Sequence, residues 1–403
     1  MSAGEEQAAL VRTQTAALTR TGTKSLAARG RADLRAREEA EEWFKKGLEY
    51  HLQQRYDDAF RCYKHGIQVS PNHSGLQLYI GLMYHEGQGV PQDHEQAAVW
   101  YRKAAEQGDA RGQMFLGYAY DHGEGIPQDY AQAAVWVHKA AKQGYADAQC
   151  RLGAIYSSGH GVQQDYEQAA VWYRKAAEQG HAGAQNNLGE SCYYGQGVPQ
   201  DYAQAAVWYR KAAEQGDADA QFSLGFLHHH GWGVSQDFVE ATVWWRLAAD
   251  QGDRGAQYNL GVMYRNGKGV PQDYAQAAVW YRKAAEQGHA WAQNSVGCAY
   301  NKGQGVPQDF AQAVIWFRKA AEHGECNAQF NLGESYYYGR GVPQDDEQAE
   351  IWYCKAAEQG DADAQLILAR MREEGRNECL RQSPTAHGQP ARSRPNTFLS
   401  ERQ

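Results

Sequence analysis

The chain has 403 residues, a formal net charge of −8 and 22% charged residues; this modest acidity and the lack of a dense basic run argue against nucleic acid or an anionic membrane surface as partner. No stretch approaches the roughly 18 consecutive apolar residues of a membrane span. Seven cysteines (Cys62, Cys150, Cys192, Cys298, Cys326, Cys354 and Cys379) are odd in number, do not recur at one position of the repeat and form no CxxC pair, so they read as free thiols in a cytoplasmic protein.

Residues 1–36 carry acids near their start and no apolar core of signal-peptide length, and they read as a flexible tail. Over residues 37–73, Trp43, Gly47, Tyr50, Ala59, Tyr63 and Pro71 fall at spaced signature positions. This stretch resembles a single tetratricopeptide repeat, and the resemblance implies a helix pair that caps the N-terminal end of the region after residue 73.

From residue 74 to 374 the chain repeats itself. Val90, Ile126, Val162, Val198, Val234, Val270, Val306 and Val342 each open a V-P-Q-D-like tetrad, 36 residues apart, and Trp100, Trp136, Trp172, Trp208, Trp244, Trp280, Trp316 and Trp352 keep the same interval. So strict a period predicts stacked supersecondary units. Each repeat reads as two helices, here called A and B. In the B helix, Asp201 is the N-cap and Gln204 completes a capping box, while Ala205, Trp208 and Ala212 share one face with Tyr209 and Ala213 beside it. Gly216 ends it. In the A helix, Asp217 starts a stripe of Ala220, Leu224 and His228, which Gly231 stops. Gly117, Gly153, Gly189, Gly225, Gly261, Gly297 and Gly333 lie in the middle of A helices, where glycine costs about 1 kcal/mol against alanine; their recurrence implies a close approach of the neighbouring helix, expected beneath the large Trp. The total is nineteen helices and no strand: two in the N-terminal repeat, nine of type A and eight of type B. Ala364, Leu368 and Met371 belong to the last A helix, which no B helix follows, so it reads as a polar C-terminal cap. Residues 375–403 contain little hydrophobicity and read as disordered.

The pattern A-x-A-Q-x-x-L-G-x-x-Y-x-x-G-x-G-V-P-Q-D-x-x-x-A-x-x-W-x-x-K-A-A-x-Q-G resembles the Sel-one-like repeat (SLR), a relative of the tetratricopeptide repeat, over roughly three quarters of the chain. The resemblance implies an all-α, right-handed solenoid of helix pairs that serves as a protein-interaction scaffold. Departures are local: Gln163 and Ser235 replace the loop proline, Leu247 the lysine, and Cys192 and His228 the tyrosine.

Candidate chemistry is sparse. The G-x-G pairs, such as Gly267-Lys268-Gly269, follow a helix instead of a strand, and no G-K-S or G-K-T accompanies them, so they read as loop punctuation. His228, His229 and His230 are consecutive, which points them about 100° apart on a helix and prevents convergence on one ion. The recurring loop Asp is accounted for as an N-cap, and no Ser/His/Asp or Cys/His grouping stands out. No catalytic, metal or cofactor site is therefore assigned, and the expected role is non-enzymatic. The alternative is a hydrolase or β-lactam-binding protein like the cysteine-rich secreted relatives, whose paired cysteines and export signal are missing here.

A monomer binding a protein or peptide segment is the expected working form. Positions that vary between repeats are free of packing duties, and in tetratricopeptide repeats the first helix lines the concave face. That analogy assigns a partner-binding groove to Tyr118 and His122, to Asn186, Glu190, Tyr193 and Tyr194, and to Phe226, His229 and His230. Tyr258 and Arg265 continue it, followed by Trp291, Asn294 and Asn301, then Glu334, Tyr337 and Tyr338. Aromatics and amides of this kind are typical of interface hot spots. Of the paired tyrosines, Tyr193/Tyr194 and Tyr337/Tyr338, both members cannot be core, because adjacent helical positions face different ways.

Overall fold

The computed structural model describes residues 32–373, which form nineteen helices and no strand. Residues 1–31 and 374–403 lie outside the described residues, and with them most of the 1–36 tail, the whole 375–403 tail and Cys379. Residues 32–52 are helical and pair with Tyr56–Val69, the helices of the N-terminal repeat. There Tyr63 is fully buried over Gly47, whose hypothetical Cβ would lie 2.2 Å from the Tyr63 ring.

The chain divides into two compact halves between Gln200 and Asp201. The first holds the A helices Ser74–Glu86, Ala110–His122, Ala146–Ser158 and Ala182–Tyr194 and the B helices His94–Glu106, Tyr130–Lys142 and Tyr166–Glu178. The second holds the A helices Ala218–His230, Arg254–Asn266, Ala290–Lys302, Cys326–Tyr338 and Ala362–Glu373. Its B helices are Tyr202–Glu214, Phe238–Asp250, Tyr274–Glu286, Phe310–Glu322 and Asp346–Glu358.

Helix boundaries follow from local chemistry. Every loop Asp of the V-P-Q-D motif caps its B helix, as Asp273 Oδ1 does by accepting from the Gln276 amide at 2.9 Å. Most A helices are capped by Asp109, Asp217, Asp253 and Asp361, by Glu325, or by the imidazole Nδ1 of His73, His181 and His289, while Tyr145 gives Ala146–Ser158 no side-chain cap. The loop glutamine closes the other end: Gln236 Nε2 donates to the His229 carbonyl at 2.9 Å and Gln272 Nε2 to that of Arg265 at 2.8 Å, satisfying carbonyls the helix leaves without a partner.

The two glycines of G-x-G have separate reasons. Gly123 (φ 72°) is the left-handed C-cap. Gly125 (φ 71°) lies so close to the preceding B helix that a Cβ would sit 2.0 Å from the His94 carbonyl oxygen, which only glycine permits.

The mid-helix glycines do meet a neighbouring helix closely, but not beneath the period-marking Trp. Gly81, Gly153, Gly261 and Gly333 face Tyr101, Tyr173, Tyr281 and Tyr353, while Gly117, Gly225 and Gly297 face Val137, Trp245 and Phe317. Each partner is the residue after the Trp. One position is 100° of helix, enough to turn this residue to the A helix and the Trp toward the flank. Tyr209 is accordingly 2% exposed whereas Trp208 is only half-buried. The repeat lysine lies over that flanking ring: Lys211 Nζ is 4.0 Å from the Trp208 centroid and Lys283 Nζ 3.8 Å from that of Trp280.

Candidate partner-binding surface

Repeats are joined by glutamines. The buried A-x-A-Q residue, for example Gln257, donates to the carbonyl of Ala249 at 3.1 Å, and its own Oε1 accepts from Gln287 Nε2 at 2.8 Å. Gln287 also donates to the Gly252 carbonyl at 3.0 Å. The same arrangement recurs at Gln113/Gln143 and Gln329/Gln359. With packing carried by Ala, Leu, Gly and the residue after Trp, the variable A-helix positions are left to differ.

In the first half, Tyr118 and His122 are both exposed and stack at 4.0 Å between ring centroids. Beside them Asp121 pairs with Arg151 and lies 3.3 Å from His122 Nδ1. Glu190 is exposed, but Asn186 is buried and approaches it at 3.5 Å. Tyr193 is 8% exposed and Tyr194 48% exposed, with the two rings edge to face at 4.8 Å. Within this pair Tyr193 is core and Tyr194 is surface.

In the second half five of the assigned residues, Phe226, His229, His230, Tyr258 and Arg265, line one cleft of about 170 Å³. Trp245, Asn259, Val262 and Met263 complete its walls. Phe226 is buried and serves as floor; its ring lies 4.1 Å from that of His230. His229 packs 5.3 Å from Trp245, and burial, then His230 and Lys268, push its imidazole down to about 4, so it is neutral near pH 7. Tyr258 stacks on His289 at 4.8 Å, with Trp291 6.2 Å away. A second opening of about 470 Å³, lined by Arg265, Asn266, Tyr274, Cys298, Lys302 and Gln304 among others, adjoins the first at Arg265.

Farther along, Asn294 and Asn301 are half-buried, and Asn294 Oδ1 accepts from Asn331 Nδ2 at 2.9 Å. Glu334 and Tyr337 are half-buried, Tyr338 is exposed, and Arg340 lies 4.9 Å over the Tyr338 ring. Burial raises the Glu334 carboxyl above its usual range.

The three consecutive histidines part ways: His228 Nε2 lies 3.1 Å from Arg210 Nη2, whereas His229 and His230 turn to the cleft. This Arg otherwise donates to the repeat tyrosine, as Arg318 does to Tyr336 at 2.7 Å, so the His228 replacement keeps the bridge. The reading from sequence missed Trp245, Asn259, Val262 and Met263 as cleft walls. Trp245 alone carried a signal, being the one tryptophan at a position held elsewhere by Tyr, Phe or Val. Cys62, Cys150 and Cys298 carry free thiols, and burial pushes the Cys150 thiol up to about 11. Among the described residues no helix is long and apolar enough to cross a membrane.

The Sel1 repeat pattern matches eight times, at residues 76–109, 110–145, 146–181, 182–217, 218–253, 255–289, 292–325 and 326–361. Among solved structures the chain is similar to c5321, a protective antigen present in uropathogenic Escherichia coli strains displaying an SLR fold. Identity is 39%, coverage 78% of this chain and 67% of that one, and the TM-score 0.74. A Sel1 repeat protein from Oxalobacter formigenes is 34% identical over 77% of this chain and 89% of that one, with a TM-score of 0.58. A comparison with curated proteins finds no match.

Proposed function

Since the chain belongs to the Sel1 repeat family, whose members generally mediate protein–protein interactions, we propose that it is a non-enzymatic scaffold that grips a peptide or protein segment along the variable face of its A helices. The observation that carries this reading is the cleft between the A helices Ala218–His230 and Arg254–Asn266. Its aromatic floor, the neutral His229 and the cation of Arg265 favour an extended segment with an aromatic or aliphatic anchor beside a carboxylate. Tyr338 offers a further exposed A-helix ring in the second half, and Tyr118 and Tyr194 do so in the first. Cytoplasmic action as a monomer is part of the reading and draws on the free thiols of Cys62, Cys150 and Cys298.

A peptide array probed with the full chain tests it. Wild type is expected to retain a subset of peptides rich in aromatic and acidic residues, and His230→Ala with Arg265→Ala to lose them at unchanged melting temperature. Retention by that double variant, with loss on Val279→Glu on a B helix, would move the surface elsewhere. Hydrolysis of a chromogenic β-lactam by the full chain would overturn the non-enzymatic part.

A further inference from the structure

The first half contains a cluster that the partner-binding face does not use. His85 ends the A helix Ser74–Glu86, His94 opens the B helix His94–Glu106, and Glu124 lies in the G-x-G loop after the next A helix. One ligand-capable atom from each lies within 4.8 Å of the others. His85 Nδ1 is 3.6 Å and His94 Nδ1 4.0 Å from Glu124 Oε2, and the two rings meet edge to face at 5.1 Å. These separations are too long for hydrogen bonds. Both His94 Nδ1 and Glu124 Oε2 are buried atoms that no hydrogen bond satisfies, a condition that costs free energy unless something else occupies the gap.

We propose that His85, His94 and Glu124 bind one divalent transition-metal ion of the zinc type. Ligands about 2.0–2.2 Å from a tetrahedral ion stand about 3.3–3.6 Å from one another, so from separations of no more than 4.8 Å a contraction on the order of 1 Å or less, within reach of side-chain rotation, closes the site. Two imidazoles and a single carboxylate suit zinc, not the all-oxygen shells of calcium or magnesium. The partly exposed side chains leave a fourth position for water.

The backbone holds the three ligands in place without the ion. Gln92 Nε2 donates to the His85 carbonyl at 2.8 Å, Asp93 caps the helix that His94 begins, and Gly125 presses the Glu124 loop onto the His94 carbonyl. Comparison of repeats within the chain supports a dedicated site. Where His94 stands the other repeats have Tyr, Phe or, once, Asp346, and where Glu124 stands they have Gln, His, Trp, Lys or Arg, so no other repeat pairs a histidine with a carboxylate there. In the next repeat the same niche holds a stacked Tyr130–His160 pair, 5.1 Å between centroids. The ion would bolt one helix pair to the loop of the next, a place filled in the following repeat by aromatic packing.

The test uses the full chain, stripped with a chelator and titrated with Zn²⁺ by calorimetry. One ion per chain is expected, with a melting temperature that rises on loading. His94→Tyr and Glu124→Gln install residues that other repeats already carry, so both should fold; each is expected to weaken binding at least tenfold and to abolish the thermal shift. Substitution with Co²⁺ should give the intense visible bands of a four-coordinate ion, lost in both variants. Absence of binding, absence of those bands, or an ion bound equally well by both variants would overturn the site.

Discussion

Gln251 donates from Nε2 to Oε1 of Gln221 at 2.8 Å, thirty residues back in the chain, while Gln221 Nε2 donates to the Ala213 carbonyl at 3.1 Å. One buried amide thus closes the end of the preceding repeat's B helix and receives the end of its own repeat's B helix. Replacing Gln221 by Leu removes both bonds and leaves the Ala213 carbonyl and the Gln251 amide without them. A loss of about 1–3 kcal/mol is expected, read by chemical denaturation. Hydrogen exchange should place the loosening at the helix ends flanking Gly216 and Gly252; loss spread evenly over the chain would contradict the nearest-neighbour picture.

Gly261→Ala sets two effects against each other. Helix propensity alone predicts a gain of about 1 kcal/mol, but the new methyl would lie 2.6 Å from the Tyr281 ring. Overpacking of that kind costs about 1–3 kcal/mol, so net destabilisation is expected. Combining Gly261→Ala with Tyr281→Ala should cost less than the sum of the two single changes. A stabilised single variant would refute the clash.

Neighbouring aromatics should differ in weight. Tyr209 is 2% exposed and Trp208 half-buried. Tyr209→Ala is expected to cost about 3–5 kcal/mol, the range for buried aromatic truncation, and Trp208→Ala less. Equal losses in urea titrations would reject the distinction.

His289 gives the stability a pH dependence of known sign. Its Nδ1 accepts the Ala292 amide at 3.2 Å, which requires a neutral ring, and burial, then Arg254, push it down to about 4. A folded value below the unfolded one of about 6.5 means that the contribution is complete above pH 6.5 and is lost as pH falls toward 4. His289→Asn keeps an N-cap acceptor without the titration. Its melting temperature should fall less than that of wild type between pH 7 and pH 4.5, and parallel curves would show that His289 plays no part.

Much of this protein is legible in one dimension because its contacts are local and repeated. Asp201, Gln204 and Gly216 mark helix ends through bonds made within a few residues, and a 36-residue period of Trp and V-P-Q-D requires the same helix pair each time. Helical geometry alone forbids Tyr193 and Tyr194 from both being core, but the sequence assigns both to the groove, and only the structure makes Tyr193 the buried one. Tertiary structure decided the rest. That Tyr281, not Trp280, covers Gly261 depends on a rotation of 100° about the helix axis, and in most repeats both positions carry a large ring. The joining role of Gln221 and Gln251 depends on the two ends of one repeat meeting each other and both reaching the carbonyls of Ala213 and Gly216 in the repeat before. His85, His94 and Glu124 belong to three different positions of the repeat, and only the stacking of one helix pair on the loop of the next brings a nitrogen, a nitrogen and an oxygen to one point.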